Sequence, residues 1–220
     1  MTPLGRSLPQ IHTPLPGPKT SALVDALARS ESPAFTTRRA RRAEQSGAPQ
    51  DPIVWAEAVG SNVVDADGNV FVDLSGGFGV AAVGHRHPAV VAAIQSQAER
   101  LLHALGDLHP SDVKIRLLER LAALAPQPEA RVVLSLSGSD ALTTAIKSAA
   151  LHTGRPGVLA FEGGYHGLDH GPLAACGYSE GFRTPFAGQL NPHVRFTAYG
   201  DVEAARTAMD DTVGAILVEA

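Results

Sequence analysis

A chain of 220 residues, 44% hydrophobic and 18% charged, can bury the core of one large domain or of one and a half smaller ones. Its net charge of −4 argues against nucleic acid as the main partner, and the basic cluster Arg38, Arg39, Arg41 and Arg42 has no interleaved aromatics, so it reads as solvated surface. The single cysteine, Cys176, excludes an internal disulfide, and no apolar run approaches membrane length, so a soluble cytoplasmic protein is expected.

Residues 1 to about 20 contain Pro3, Pro9, Pro14, Pro16 and Pro18 and are expected to be extended or disordered. A short helix follows around 21–30, with Leu23, Ala26 and Leu27 on one side. Residues 53–74 read as antiparallel strands, in which Val63 and Val64 enter the turn Asp65-Ala66-Asp67-Gly68-Asn69 and Val70, Phe71 and Val72 leave it. Gly76-Gly77-Phe78-Gly79 permits close backbone approach, and Pro88 suits the first turn of a helix running to about 105. A second helix is predicted over 111–125, with Leu117, Leu118, Leu121 and Leu124 as its buried stripe and Pro126 as its stop.

From there strands and helices alternate: strand 131–136, helix 139–153, strand 157–161, a long loop, strand 194–198, helix 202–209 and strand 213–219. That order predicts an α/β fold, with antiparallel strands in an N-terminal segment and then part of a mainly parallel sheet flanked by helices. The expected divisions are a Pro/Arg-rich tail with a short helix at 1–50, small-domain strands and the glycine-rich segment at 51–88, and the first half of a large domain at 89–220.

The stretch Arg131–Ala150 carries the chemistry. An apolar strand breaks at Ser137-Gly138-Ser139, and from Asp140 the stripe Ala141, Leu142, Ala145, Ile146, Ala149 and Ala150 marks a helix. The first N–H groups of that helix lack helical partners and sit at the positive end of its dipole, so the turn can cradle a phosphate. An ordinary capped turn with Ser137 as N-cap is the alternative. Glu162-Gly163-Gly164-Tyr165-His166-Gly167 and Glu219 lie past the ends of two further strands, where open α/β sheets bind ligands. Gly77–Ala82 matches a loose dinucleotide pattern but has no room for the helix it needs. His85, His87, His166 and His170 lack the partners of a metal set and are expected to be satisfied or solvent-facing; no metal is expected.

The motifs Gly68–Asn69 with Asp73 and Gly76, Gly84-His85-Arg86-His87-Pro88, Ser137-Gly138-Ser139-Asp140-Ala141 with Lys147, Thr153-Gly154-Arg155, Tyr165-His166-Gly167 and Val218-Glu219 stand in an order and spacing that resembles the class III aminotransferases. These are fold-type I pyridoxal 5'-phosphate enzymes, and the resemblance covers their N-terminal half only. It implies that Gly138 and Ser139 hold the cofactor phosphate, that Tyr165 stacks on the pyridine ring beside His166, and that Glu219 lies near the cofactor. Ala220 stands where the family usually has a proline. Phe78 and Gly79 would line the substrate pocket, and Asp140 is expected to face helix N–H groups rather than the anion. Leu168 takes the place of an arginine that grips a carboxylate in relatives handling 4-aminobutyrate or ornithine.

The implied activity moves an amino group between an amine or amino acid and a keto acid, in a homodimer. A racemase, epimerase or decarboxylase of the same family is the alternative, and a non-catalytic cofactor-binding fragment the second. None of the lysines, Lys19, Lys114 and Lys147, matches the family's Schiff-base position, and no residue matches the aspartate facing the pyridine nitrogen. The chain is therefore expected to be a truncated portion, inactive alone.

Overall fold

Gly68 adopts φ +88°, a left-handed conformation open to glycine, and so reverses the chain between β2 (Asn62–Asp65) and β3 (Val70–Val72). Asp65 braces the turn: its Oδ1 accepts the N–H groups of Asp67 (2.9 Å) and Asn69 (2.8 Å). With β1 (Trp55–Val59) these strands form an antiparallel sheet in sequence order, in which Val63 faces Phe71 and is 1% exposed. The computed structural model that shows this describes residues 4–47 and 52–219, and the chain divides into two compact units, 1–109 and 110–220.

Of the two expected states, extended or disordered, residues 4–17 take an ordered, non-helical course and are not a free tail. Asn62 Oδ1 accepts the N–H groups of Gly5 (2.9 Å) and Ser7 (2.8 Å), while its Nδ2 donates to the carbonyls of Ser7 (2.9 Å) and Phe71 (3.0 Å). Asn69 repeats the device, accepting from His12 (2.7 Å) and Thr13 (3.1 Å) and donating to Thr13 Oγ1 and Asp65 Oδ2. Between them Gln10 bridges Val70 through backbone hydrogen bonds. The prolines keep this arm out of a helix, which leaves its backbone groups available to the two buried amides. Helix α1 (Pro18–Ser30) has Gly17 at its N-cap, which offers no side chain, and Asp67 caps it instead through Lys19 N–H and Thr20 N–H, both 2.8 Å.

The arginine cluster lies on α2 (Pro33–Ser46), where Arg39 pairs with Glu31 at 2.6 Å. Helix α3 (Pro88–Arg100) stops short of the predicted 105, because Leu101 turns extended and Gln97 Nε2 closes the end on its carbonyl at 2.8 Å. Residues 48–51 lie outside the described part.

In the second unit, Ser111 caps α4 (Asp112–Leu124), accepting Lys114 N–H at 3.2 Å. Its expected buried stripe is uncovered: Leu117 is 44% and Leu124 71% exposed. The strand expected at 131–136 is likewise absent from the ladders. Its residues are irregular, and Val133 is 71% and Leu136 100% exposed. An apolar run becomes a strand only when a neighbour exchanges hydrogen bonds with it, and no described segment does. The sheet that does form is parallel and ordered β5-β4-β6, from β4 (Gly157–Phe161), β5 (Val194–Thr197) and β6 (Val213–Ile216). Helix α5 (Gly138–Thr153) lays Ile146 on its core of Val158, Ala160 and Ala175.

The long loop after β4 contains short helices α6 (His170–Ala174) and α7 (Glu180–Arg183) and a 3-10 turn (Thr184–Gln189); α8 (Val202–Ala208) then precedes β6. Among the described residues no helix is long and apolar enough to cross a membrane.

Asn69 is fully buried with four hydrogen bonds, so Asn69→Ala should lower unfolding free energy by about 2–4 kcal/mol and release the arm. Amide exchange at His12 and Thr13 reads this directly; protection equal to the parent chain would show that the arm docks without this clip.

Candidate functional site

At the start of α5, Ser137 is extended (φ −154°, ψ 164°) and its Oγ accepts Asp140 N–H at 3.0 Å. Asp140 reciprocates, its Oδ2 accepting Leu136 N–H at 3.1 Å. The Asp140 carboxylate therefore engages the backbone just ahead of the helix, not a helix N–H. This closed cap leaves the N–H groups of Gly138 and Ser139 donating to nothing among the described residues. A Cβ on Gly138 would meet no atom within 4 Å, so the turn opens onto free space.

The loop after β4 is pressed against this turn. Ser139 Oγ accepts Asp169 N–H at 2.9 Å, which commits a lone pair and leaves the hydroxyl proton free to donate outward. Gly167, at φ +107°, lies so near that a Cβ there would sit 2.5 Å from Ser139 Oγ. Only glycine permits that approach. Tyr165 N–H donates to Glu219 Oε2 at 2.9 Å, tying the loop to the chain leaving β6. The Tyr165 ring meets Tyr178 edge-on, with centroids 6.1 Å apart.

Gly138, Ser139, Tyr165, His166 and Leu168 thus line one open cleft of about 580 Å³, together with Leu142, Gly167 and Asp169. Glu219 reaches it through its hydrogen bond to Tyr165. Leu142 and Asp169 were not singled out from sequence. Leu142 stood among the helix's core stripe, and Asp169 acts through its backbone N–H, for which a side chain gives no signal.

His166 departs from the expectation of a satisfied or solvent-facing ring. Its Nε2 is buried with no hydrogen-bond partner among the described residues. Burial pushes its pKa below the ordinary 6.5, and the Glu219 charge partly opposes this. The other histidines behave as expected where they are bonded: His85 Nε2 lies 2.8 Å from Asp73 Oδ2, and His170 Nε2 lies 2.9 Å from Gln189 Oε1. No group of three possible metal ligands occurs among the described residues.

Phe78 and Gly79 lie in the first unit, in a run where Gly76, Gly77, Phe78 and Gly79 all have positive φ. Phe78 is 99% exposed at φ +60°, a conformation that is uncommon for a bulky residue. Asp73 anchors the run, accepting from Ser75 N–H, Ser75 Oγ and Gly77 N–H as well as meeting His85. The His85 contact first, and then the Ser75 hydroxyl, hold its carboxyl down at about 2 from the ordinary 3.8. A depressed carboxylate pKa stabilises the fold above the unfolded value and is lost as pH falls. The loop should keep this anchor above pH 3.8 and lose it as pH falls toward about 2.

The parallel sheet β5-β4-β6, with the cleft beside the loop that leaves β4, corresponds to part of the fold of solved PLP-dependent transaminases. A solved taurine:2-oxoglutarate aminotransferase from Bifidobacterium kashiwanohense, in complex with PLP and glutamate, superposes with a TM-score of 0.68 at 26% identity, covering 77% of this chain and 43% of that one. The family model for aminotransferase class-III matches residues 44–220, and the chain belongs to that family. An acetylornithine aminotransferase of Methanopyrus kandleri is 39% identical over 168 residues, 76% of this chain and 42% of that protein. An alanine/serine racemase of Pyrococcus horikoshii is 31% identical over 191 residues, 87% of this chain and 38% of that one. The chain thus spans about two fifths of the length of the curated relatives it matches.

The His166 environment gives a titration with a definite sign. A histidine with a depressed folded pKa stabilises its turn above 6.5, and that contribution is lost as pH falls below it. The His166 ring should therefore protonate below 6.5 in an NMR titration, and Glu219→Gln should move its midpoint lower still. A midpoint at or above 6.5, or an upward move in the variant, would contradict the assignment of burial as cause.

Proposed function

We propose that this chain supplies the phosphate-holding and ring-stacking part of a pyridoxal 5'-phosphate site in an aminotransferase that moves an amino group between an amine or amino acid and a keto acid. The observation that carries this reading is the pair of undirected N–H groups at Gly138 and Ser139, opening a 16-residue helix onto the cleft, with the Ser139 hydroxyl proton free beside them. These donors fit a phosphate without any lysine or arginine. Tyr165 supplies a flat face to the pyridine ring, and Glu219, by holding Tyr165 N–H, fixes where that face lies. A neutral His166 fills the space under the turn without adding a charge. Leu168, 44% exposed in the cleft, offers the substrate an apolar contact.

When bound, the cofactor acts as the electron sink for the bond broken at the substrate's Cα. The residues here would hold it by its phosphate, at Gly138 and Ser139, and by its ring face, at Tyr165. None of the chain's lysines lines the cleft: Lys19 lies in the first unit, and Lys114 and Lys147 lie on α4 and α5. The chain alone is therefore assigned binding and not turnover, with the cofactor-bearing lysine and the pyridine-facing aspartate supplied elsewhere in the complete enzyme.

The reading includes small-domain strands at 51–88 and the beginning of the large domain at 89–220. It also includes a cytoplasmic homodimer, supported by the exposed Phe78, Val80 and Val83 as a surface for a second subunit. Racemisation is the second reading, favoured by the similarity to the alanine/serine racemase over 87% of the chain.

Gly138→Val should weaken retention of pyridoxal 5'-phosphate at least about tenfold, because a branched side chain would take the anion's place. Fluorescence titration measures this, and unchanged affinity would remove the phosphate assignment. Borohydride reduction of the chain with the cofactor should leave Lys19, Lys114 and Lys147 without stoichiometric label; full labelling of one of them with turnover of an amino donor would make the chain complete. In the complete enzyme, Leu168 should leave 4-aminobutyrate and ornithine as poor substrates, since leucine offers no bidentate partner to a carboxylate. High specificity constants for either would refute that.

A further inference from the structure

Away from the cleft, the second unit has a separate cavity of about 340 Å³ between α6, α7, the 3-10 turn and the face of β5. It shares no lining residue with the cleft, and its volume is at the lower end of the ~300–1,000 Å³ typical of small-molecule sites. Leu190, Val194 and Phe196 give it an apolar wall, and Arg183 and Glu180 bring it two opposite charges.

Arg183 is positioned like a binding group. Its guanidinium carbon lies 4.3 Å above the centroid of the Phe196 ring, which fixes the plane of the fork. Its Nε is buried and has no hydrogen-bond partner among the described residues. Glu180, one turn earlier on α7, does not neutralise it. No ion pair joins the two, and the Glu180 carboxylate makes no hydrogen bond among the described residues. The other polar side chains there are already engaged: Asn191 Nδ2 donates to the Pro156 carbonyl, Asn191 Oδ1 accepts His193 N–H, and Thr184 Oγ1 donates to the Glu180 carbonyl. Two residues of opposite charge therefore line one small cavity with no ion pair between them, beside an apolar wall.

We propose that this cavity is a binding site for a free α-amino acid with an apolar side chain. The ligand's carboxylate takes the Arg183 fork, its ammonium group takes Glu180, and its side chain packs on Leu190, Val194 and Phe196. The proposal is independent of the cofactor reading.

The test uses the full chain and L-leucine, with 4-methylpentanoate (no ammonium) and isopentylamine (no carboxylate) as half-ligands. Leucine should shift the Phe196 ring resonances and show NOEs from its methyls to that ring, while each half-ligand binds at least about tenfold more weakly. Arg183→Met should abolish these effects and Glu180→Gln should weaken leucine but leave 4-methylpentanoate unchanged. Should Arg183→Met fail to fold, the exposed Glu180→Gln variant carries the test by itself. The proposal is overturned if leucine leaves Phe196 unperturbed, if 4-methylpentanoate matches leucine, or if a folded Arg183→Met or Glu180→Gln binds leucine like the parent chain.

Discussion

The cleft depends on the contact between Gly167 and Ser139. Without a Cβ at residue 167, the loop after β4 lies directly against the first turn of α5 and delivers Asp169 N–H to the Ser139 hydroxyl at 2.9 Å. That single donation settles which way the hydroxyl proton can point. The same closeness places Tyr165 and His166 on one wall and Gly138 on the other. A side chain at residue 167 would part these walls and remove the cleft's geometry while leaving each element intact.

Two of the carboxylates around this contact are held by backbone N–H groups. Asp140 is turned back onto Leu136, and Glu219 is engaged by Tyr165 N–H. His166 is pushed toward its neutral form by burial, and the donors that the turn offers are the Gly138 and Ser139 N–H groups and the Ser139 hydroxyl. Such donors do not titrate, so the turn is insensitive to pH in a way that a lysine or histidine site would not be. Membership of the class-III aminotransferases and the fold likeness to a PLP-bound structure agree with this arrangement at the level of family and architecture.

The sequence was most legible where local chemistry decides the outcome. The Asp65–Asn69 turn, Pro88 at the start of α3, Ser137 as a cap, and the three strands that form the parallel sheet all followed from short-range rules. It was least legible where distant partners decide. Val133, Leu134 and Leu136 have the composition of a strand, but strand identity is a property of a pair. Asn69 reads as a turn residue and Asn62 carries no signal, although both spend their amides on residues more than fifty positions away. Cleft walls made by backbone, such as Asp169 N–H, leave no trace in side-chain patterns.

The docking of residues 4–17 carries a consequence for the order in which the chain matures. Gly5 is held by Asn62 and His12 by Asn69, each pair separated by 57 positions. The arm leaves the ribosome well before either amide exists, and must wait with its backbone groups in water until the hairpin has emerged and closed. Its attachment is thus a late event in the first unit and a report that the hairpin is correctly formed. Until then the arm is open to proteases and chaperones. Any lesion that slows the hairpin prolongs that window, even one that never touches the arm.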